Sequence, residues 1–340
     1  MVFHFCAAPV VNGTVDRQAF RVMEPVAKFG YLGVDLFFLI SGFVILMSAQ
    51  GRSARSFLVH RVVRLYPSFW FAILLTAIFV IALAPPSEQM STATIAANLT
   101  MLPGYLGFEK VDEVYWTLAV ELKFYFLVGC IIAAGQIRHA EQWSYAWLAG
   151  LSLSMLGIGG GPLRSITIFP YGAYFAAGAL LFEVQRGGWT RWRSGGLVVA
   201  WLLAIVAAVR AMPEYMQSPS SADAAVVVIL VSFGVASLVW ASRAPKLPLG
   251  KVWRTLGALT YPLYLVHSRI GRLLFAKLQQ PFSIHMALAI ETALVLLLTW
   301  MTMQLIERRV VPMLARSPII KRVSGESRTR SQQTSNGQAR

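Results

Sequence analysis

The chain has 340 residues, of which 56% are hydrophobic and 13% are charged, and its net charge is +15. Soluble domains carry about 25% charged residues, so this composition excludes an ordinary cytosolic enzyme, a disordered protein and a disulfide-rich secreted domain. The basic residues lie mostly in short gaps between apolar segments, a pattern typical of membrane proteins rather than of nucleic-acid binding.

Ten apolar segments follow one another along the chain. Nine of them approach the roughly 17–25 residues that a membrane-spanning helix needs. The other, residues 1–11, would extend only about 16 Å at 1.5 Å per residue, against a hydrocarbon core of about 30 Å. We expect it to be the outer half of a truncated first helix. The nine longer segments are 31–48, 69–84, 116–135, 143–158, 166–184, 196–212, 224–241, 255–276 and 285–306.

Lysine and arginine alternate between the two sides of these segments. Twenty lie in every second gap between the apolar segments and after residue 306. Six lie in the other gaps. Because basic residues favour the cytoplasmic side of a membrane, the twenty mark that side. Both termini then face the cytoplasm, which requires an even number of crossings. The sequence therefore predicts an all-α polytopic membrane helix bundle of about ten transmembrane helices.

Two regions differ in composition. Residues 1–312 form the predicted membrane domain, whereas residues 313–340 are polar and basic, which predicts a disordered cytoplasmic tail that contacts anionic lipid. The longest outward loop, residues 85–115, contains four acidic residues. It either covers a substrate entrance or is simply solvated. Cys6 and Cys130 show no metal-ligand spacing, so no metal site is predicted.

Several ionisable residues lie inside the predicted spans, where such groups are costly and are therefore functional candidates by default. Counting from the predicted helix ends places four of them in the middle-to-outer part of the bilayer, namely His4, Asp35, Glu121 and His267. They are either parts of one site or separate, hydrogen-bonded structural groups. The others are Lys123, Arg269, Arg272 and Glu291.

Arg61 and Arg64 stand three residues apart, which places both on one helix face at the cytoplasmic entrance. Guanidinium groups bind phosphate through two parallel hydrogen bonds, so this pair suits a phosphorylated cytoplasmic ligand. The general excess of basic residues on the cytoplasmic side also explains the two arginines, and charge alone favours that explanation.

Four segments stand out in chain order. They are GYLGVDLFFLISGFVI (30–45), FLVHRVVRLYPSFW (57–70), YWTLAVELKFYF (115–126) and LGALTYPLYLVH (256–267). Each resembles a signature segment of membrane acyltransferase family 3, the integral-membrane O-acyltransferases of bacterial surface glycans. In the last two segments Thr117 and Thr260 stand where the family usually has serine. The resemblance covers about residues 1–310.

This resemblance implies an activity and its participants. Family members take the acyl group, usually acetyl, from cytoplasmic acyl-CoA as a co-substrate, with no bound cofactor. They acylate a sugar hydroxyl of a lipid-linked or exported polysaccharide. The implied protein is an O-acetyltransferase of a bacterial cytoplasmic (inner) membrane. Its partners would be membrane lipid, acyl-CoA and a carbohydrate acceptor, and not nucleic acid.

The resemblance also assigns residues. His4 matches the family histidine implicated in acyl transfer, and a neutral histidine can accept the proton of a hydroxyl that attacks a thioester. Glu121 is the first candidate for the carboxylate that orients this imidazole, and Asp35 is the second. Arg61 and Arg64 would hold the CoA phosphates. The acyl group would then pass through the bundle toward an acceptor on the outer side.

Four further residues receive supporting roles, namely Ser41, Tyr125, Tyr261 and His267. We expect His267 to affect stability more than the chemical step. The family motif also has an arginine about ten residues before the histidine at position 4. We therefore expect the natural chain to begin about 10–20 residues upstream, the length that would complete a span.

Two other functions stay open at this point. Intramembrane charges also mark the substrate or proton path of a transporter or exporter, although the paired repeats of many transporters are not visible. The second is an inactive scaffold, because the arginine of the first motif is missing from the sequence. Transfer or hydrolysis of acyl-CoA by the purified protein separates an acyltransferase from a transporter.

Overall fold

A computed structural model describes residues 3–7, 23–243 and 250–325. Within these ranges all regular structure is helical, which confirms the predicted all-α class. The labelled helices are α1 (Leu32–Ala49), α2 (Ala54–Leu83), α3 (Thr92–Asn98), α4 (Trp116–Ala133), α5 (Ala140–Met155), α6 (Gly160–Ile166), α7 (Gly172–Gly187), α8 (Arg191–Tyr215), α9 (Ser221–Arg243), α10 (Lys251–Val266), α11 (Ser268–Leu278), α12 (Ile284–Thr302), α13 (Val311–Arg316) and α14 (Pro318–Ser324).

Shorter helical turns connect or extend these helices. A π-helical turn at Phe3–Ala7, here called the N-terminal turn, precedes the helical turns that lead into α1. A π-helical segment continues α12 toward α13. The remaining elements are Glu24–Ala27, Lys28–Tyr31, Pro86–Glu88, Pro103–Leu106, Glu113–Tyr115, Ile137–His139 and Met303–Val310.

Six helical segments in the described part of the chain are long and apolar enough to cross a membrane. The protein is therefore a multi-pass membrane protein. Three predicted spans correspond instead to four helices of 11 to 16 residues: α5, α7, and α10 together with α11. Ten crossings and cytoplasmic termini stay predictions. The six segments are Glu24–Ala49, Ala54–Leu83, Glu113–Ala133, Arg191–Tyr215, Ser221–Arg243 and Ile284–Arg316.

The sequence predicts a gap between apolar segments that ends before a span at residue 69, and helix α2 differs from this prediction. It is one helix of 30 residues that begins at Ala54 and continues through Pro67. The side chain of Ser53 caps it by accepting a hydrogen bond from the backbone N–H of Ser56, an arrangement that satisfies one free donor of the first turn. Arg61 and Arg64 consequently lie in the same rigid element as the span.

The predicted single span at 255–276 is two helices, α10 and α11, that meet at His267. In a continuous helix the N–H of Arg269 would donate to the carbonyl of Leu265. Here Arg269 N donates to Asp112 Oδ2 at 2.7 Å, and Leu265 O accepts from the Tyr115 hydroxyl at 2.9 Å. Asp112 and Tyr115 of the outer loop thus bond to the donor and the acceptor that would otherwise pair with each other within the helix. This exchange explains the break.

Helices α1 and α7 make the closest backbone contact in the bundle. A Cβ atom on Gly42 would lie 2.2 Å from the carbonyl oxygen of Phe175, and one on Gly178 would lie 2.1 Å from that of Leu39. Only glycine fits at both positions. Close approach through small residues is the usual way in which helices pack in membranes. The contact holds the middle parts of α1 and α7 side by side.

The outer loop at 85–115 is a folded segment. Asn98 is fully buried; its amide donates to the carbonyls of Thr94 and Glu109, and its Oδ1 accepts from Val111 N. Glu88 forms an ion pair with Arg269 at 2.9 Å. The loop is therefore fixed against α11 by these contacts.

The sequence predicts disorder from residue 313, but α13 and α14 extend regular structure to Ser324. Ser317 caps α14 by accepting from Ile320 N, and both helices contact α2. Packing against α2 supplies the stabilisation that such short helices lack by themselves. Residues 326–340 of the predicted tail lie outside the described residues, as do most residues of the predicted first segment at 1–11.

Candidate active site

The residues that the sequence singles out fall into three groups in the structure. The arginine–glutamate cluster comprises Arg61, Arg64, Glu121 and Tyr125. The histidine pair comprises His4 and His267. The third group surrounds Asp35, near the first residues of α1 and α7 and beside the second half of α8. Within the described residues no hydrogen bond or ion pair joins Glu121 or Asp35 to either histidine.

The arginine–glutamate cluster is built across α2 and α4. Tyr125 stands one helical turn after Glu121, and its hydroxyl donates to Glu121 Oε1. The guanidinium carbon of Arg61 lies 5.9 Å from the centre of the Tyr125 ring and 5.8 Å from that of Phe57. Ser41 is buried on α1 close to Glu121.

Two atoms of this cluster are buried without a hydrogen-bond partner among the described residues, Arg61 Nε and Glu121 Oε2. Buried polar atoms in folded proteins nearly always have a partner, so an unpaired donor and an unpaired acceptor in one cluster are typical of a ligand site. This cluster can therefore take a ligand with both hydrogen-bond acceptors and donors.

Arg64 is engaged differently from Arg61. Its guanidinium forms an ion pair with Glu307, and the Ser68 hydroxyl donates to the other carboxylate oxygen of Glu307 at 2.7 Å. The ring of Tyr261 lies 5.4 Å from the Arg64 guanidinium carbon. The charge of Arg64 is thus already balanced. Sequence reasoning did not select Glu307, which is 243 positions away from Arg64.

The histidine pair forms where the N-terminal turn meets the junction of α10 and α11. The two ring centres lie 5.0 Å apart in an edge-to-face arrangement. His267 is 3% exposed, and its Nδ1 lies 3.0 Å from Leu263 O and 2.9 Å from Tyr264 O. Carbonyl oxygens only accept, so Nδ1 carries the hydrogen and Nε2 of the neutral ring is left as the proton acceptor.

The outer loop fixes the backbone around His267. Besides its bond to Arg269 N, the buried Asp112 accepts from Val114 N through Oδ1 at 3.2 Å. Burial raises the pKa of the Asp112 carboxyl above its ordinary value, and these two backbone hydrogen bonds oppose the rise. The Thr117 hydroxyl is hydrogen-bonded to that of Tyr264. The loop therefore positions His267, a role that the sequence did not assign to Asp112.

Glu291 is a third residue to which the sequence assigns no role. It is 1% exposed in the middle of α12, and its Oε2 is buried with no hydrogen-bond partner among the described residues. Its other oxygen approaches Gly271 and Phe5 on the side of the histidine pair. The available sequence signal is a single carboxyl inside an otherwise apolar span.

The group around Asp35 is aromatic. The hydroxyl of Tyr174 donates to Asp35 Oδ2 at 3.0 Å. The ring of Tyr31 stacks on that of Tyr215 with centres 4.4 Å apart, and Phe3 of the N-terminal turn packs against both. Phe3 also packs against His4, so the group around Asp35 lies near the histidine pair.

Comparison with known proteins gives a family and distant relatives. Residues 1–304 match the family model described as an acyltransferase domain. Exopolysaccharide production protein ExoZ of Rhizobium meliloti (strain 1021) is 27% identical over 135 residues, which cover 37% of this chain and 40% of ExoZ. Nodulation protein 10 of Rhizobium leguminosarum bv. viciae is 26% identical over 284 residues, which cover 73% of this chain and 74% of that protein. The match thus spans less than half of ExoZ. No solved structure matches the chain significantly.

Proposed function

This chain belongs to acyltransferase family 3 and is a membrane acyltransferase, and from that premise we propose that it acylates a sugar hydroxyl of a surface or exported polysaccharide or glycolipid. The donor is cytoplasmic acyl-CoA, with acetyl-CoA as the first choice, so the enzyme is an O-acetyltransferase. The name of ExoZ, an exopolysaccharide production protein, supports a glycan acceptor.

The proposed location is a bacterial inner membrane, with about ten crossings and both termini in the cytoplasm. The alternation of basic residues supports this orientation. It puts the arginines of the arginine–glutamate cluster toward the cytoplasm, and Glu121, the histidine pair and Asp35 further out. Donor and acceptor then approach the site from opposite sides of the membrane.

The observation that carries the proposal is the histidine pair, because the bond donated by His267 Nδ1 leaves a proton-accepting ring nitrogen beside His4. As the sugar oxygen attacks the thioester carbonyl, its proton passes to His4, the proposed general base. The new C–O bond forms, the C–S bond breaks, and CoA leaves as its thiol. His267 holds the base in place.

The donor would lie against the arginine–glutamate cluster. Arg61 has an unpaired, buried Nε, so it is the first candidate for a CoA phosphate. Arg64 would have to share its charge between the ligand and Glu307. Glu121 and Tyr125 hold the side of the cluster that faces the membrane interior, where the pantetheine arm would pass.

The test is acyl transfer by the purified protein in detergent, with labelled acetyl-CoA and a glycan from the producing strain. We expect label to appear in base-labile ester on the glycan, together with released CoA thiol. A parallel NMR comparison of the polysaccharide from wild-type and deletion strains should show a lost O-acyl resonance. A protein that moves glycan across vesicles but releases no CoA thiol would instead be the alternative transporter.

A further inference from the structure

Glu291 is a buried carboxyl with an unpaired oxygen. It lies in the middle of α12, which packs against both α10 and α11, the helices that His267 joins. An unpaired carboxylate buried in an apolar environment is costly, and a leucine at this position would avoid the cost entirely. A buried carboxyl without a fixed partner therefore requires an explanation beyond packing.

The position of Glu291 relative to the histidines follows from Gly271. This glycine stands four residues after His267, on the same helix face, and its N–H donates to His267 O at 3.2 Å. A Cβ atom on Gly271 would lie 2.6 Å from Glu291 Oε1 and 2.6 Å from an edge carbon of Phe5. Phe5 follows His4 directly, and its ring centre lies 6.4 Å from that of His267.

The absence of a side chain at Gly271 thus lets three elements meet: α11, α12 and the N-terminal turn. Any larger residue would push the carboxyl of Glu291 or the ring of Phe5 away. This packing places the N-terminal turn, and with it His4, beside His267.

Three other buried carboxyls in the described part of the chain accept hydrogen bonds from groups outside the histidine pair. Glu121 accepts from Tyr125 in the arginine–glutamate cluster, and Asp35 accepts from Tyr174. Asp112 uses its two oxygens for backbone N–H groups. Glu291 is the carboxyl on the histidine side that keeps a free oxygen.

We propose that Glu291 is the positioning residue of the histidine pair and stabilises the positive charge that the pair gains during transfer. The proposal rests on the proposed function. When the acceptor O–H bond breaks and its proton moves to the imidazole, a nearby carboxylate favours the resulting imidazolium. The proton leaves later with the CoA sulfur, so Glu291 ends each cycle unchanged.

The experiment compares Glu291→Gln with Glu291→Asp in the full chain, purified in detergent. We expect Glu291→Gln to lower kcat about ten- to a hundredfold, a part of the 10²–10⁴ that a general base contributes, with an unchanged KM for acetyl-CoA. Loss of the carboxylate should also lower the pKa of the base. The acidic limb of the pH profile of kcat/KM should therefore move to lower pH. Glu291→Asp should keep this limb in place and recover part of the rate.

Glu183→Gln is the matched control, because Glu183 is also a buried glutamate on a membrane helix, 3.7 Å from Arg186 and remote from the histidines. It should leave the pH profile unchanged. A folded Glu291→Gln protein with a wild-type limb would overturn the inference while the proposed function stands. If Glu291→Gln does not fold, a displaced limb in Glu291→Asp would overturn it equally. A wild-type protein without any transfer would remove both proposals.

Discussion

The arginine–glutamate cluster and the histidine pair are both buried in the bundle, but different contacts hold them. In the cluster, side chains bond to side chains: Arg64 pairs with Glu307, and Tyr125 donates to Glu121. At the histidine pair, the backbone supplies the support. The Nδ1 of His267 donates to two carbonyls, and the outer loop replaces a helical hydrogen bond two residues further on.

This difference indicates what each region can do. Side chains such as arginine have several rotamers, so a network of them can rearrange around an arriving ligand at moderate cost. A ring fixed by two backbone carbonyls of α10 stays where it is, which is what proton transfer at a defined distance requires. We therefore expect graded losses of binding from the cluster and loss of the chemical step from the pair.

The largest effect should come from His4→Ala. Removing the proposed base should lower the rate of acyl transfer about 10²- to 10⁴-fold, whereas the affinity for acetyl-CoA should stay the same. Steady-state kinetics and equilibrium binding of acetyl-CoA would measure the two quantities. The exposed His285 offers a control, and His285→Ala should behave as wild type. Near-normal transfer by His4→Ala would remove this residue from the mechanism.

The comparison of Arg61 with Arg64 should give the next largest effect. Arg61→Ala should weaken acetyl-CoA binding about ten- to a hundredfold, because a charge-assisted hydrogen bond contributes about 1.5–3 kcal/mol. Arg64→Ala should weaken binding less, since the charge of Arg64 is already shared with Glu307. Arg61→Lys should recover binding only in part. If both alanine variants bound acetyl-CoA as tightly as wild type, the two arginines would be explained by membrane orientation alone.

Substitution of the outer loop should affect the histidine pair and leave the cluster unchanged. Asp112→Ala leaves the N–H groups of Arg269 and Val114 without their acceptor, and each unpaired buried group costs about 1–3 kcal/mol. We expect a lower unfolding temperature and a lower kcat, with unchanged affinity for acetyl-CoA. Asp223→Ala, which removes a partly buried ion pair with Lys28, serves for comparison. A change in donor affinity without a change in kcat would contradict the separation of the two regions.

The smallest effect should come from Tyr115→Phe, which removes the hydroxyl that bonds to Leu265 O. A single neutral hydrogen bond contributes about 0.5–1.5 kcal/mol, so we expect a small loss of thermal stability and at most a severalfold fall in kcat. Tyr105→Phe provides the matched control, because Tyr105 is 66% exposed. Equal unfolding temperatures of the two variants would argue against support of His267 by this bond.

Local patterns determined much of this protein. Long apolar segments have one stable state in lipid, the hydrogen-bonded helix, so composition and segment length predict the all-α membrane fold. Spacing of three residues puts Arg61 and Arg64 on one helix face regardless of the rest of the chain. The four motif segments predict the acyltransferase family, and the match over residues 1–304 confirms it.

The tertiary structure alone decided which ionisable groups meet. Periodicity describes one helix at a time, and it carries no information on which helices pack side by side. Glu121 and Glu291 look alike as single carboxyls in apolar spans, yet Glu121 bonds to Tyr125 whereas Glu291 approaches Gly271. Likewise the break at His267 depends on Asp112, which is 157 positions before Arg269 in the chain. The helical hydrogen bond is lost because a distant loop supplies another acceptor for Arg269 N and another donor for Leu265 O.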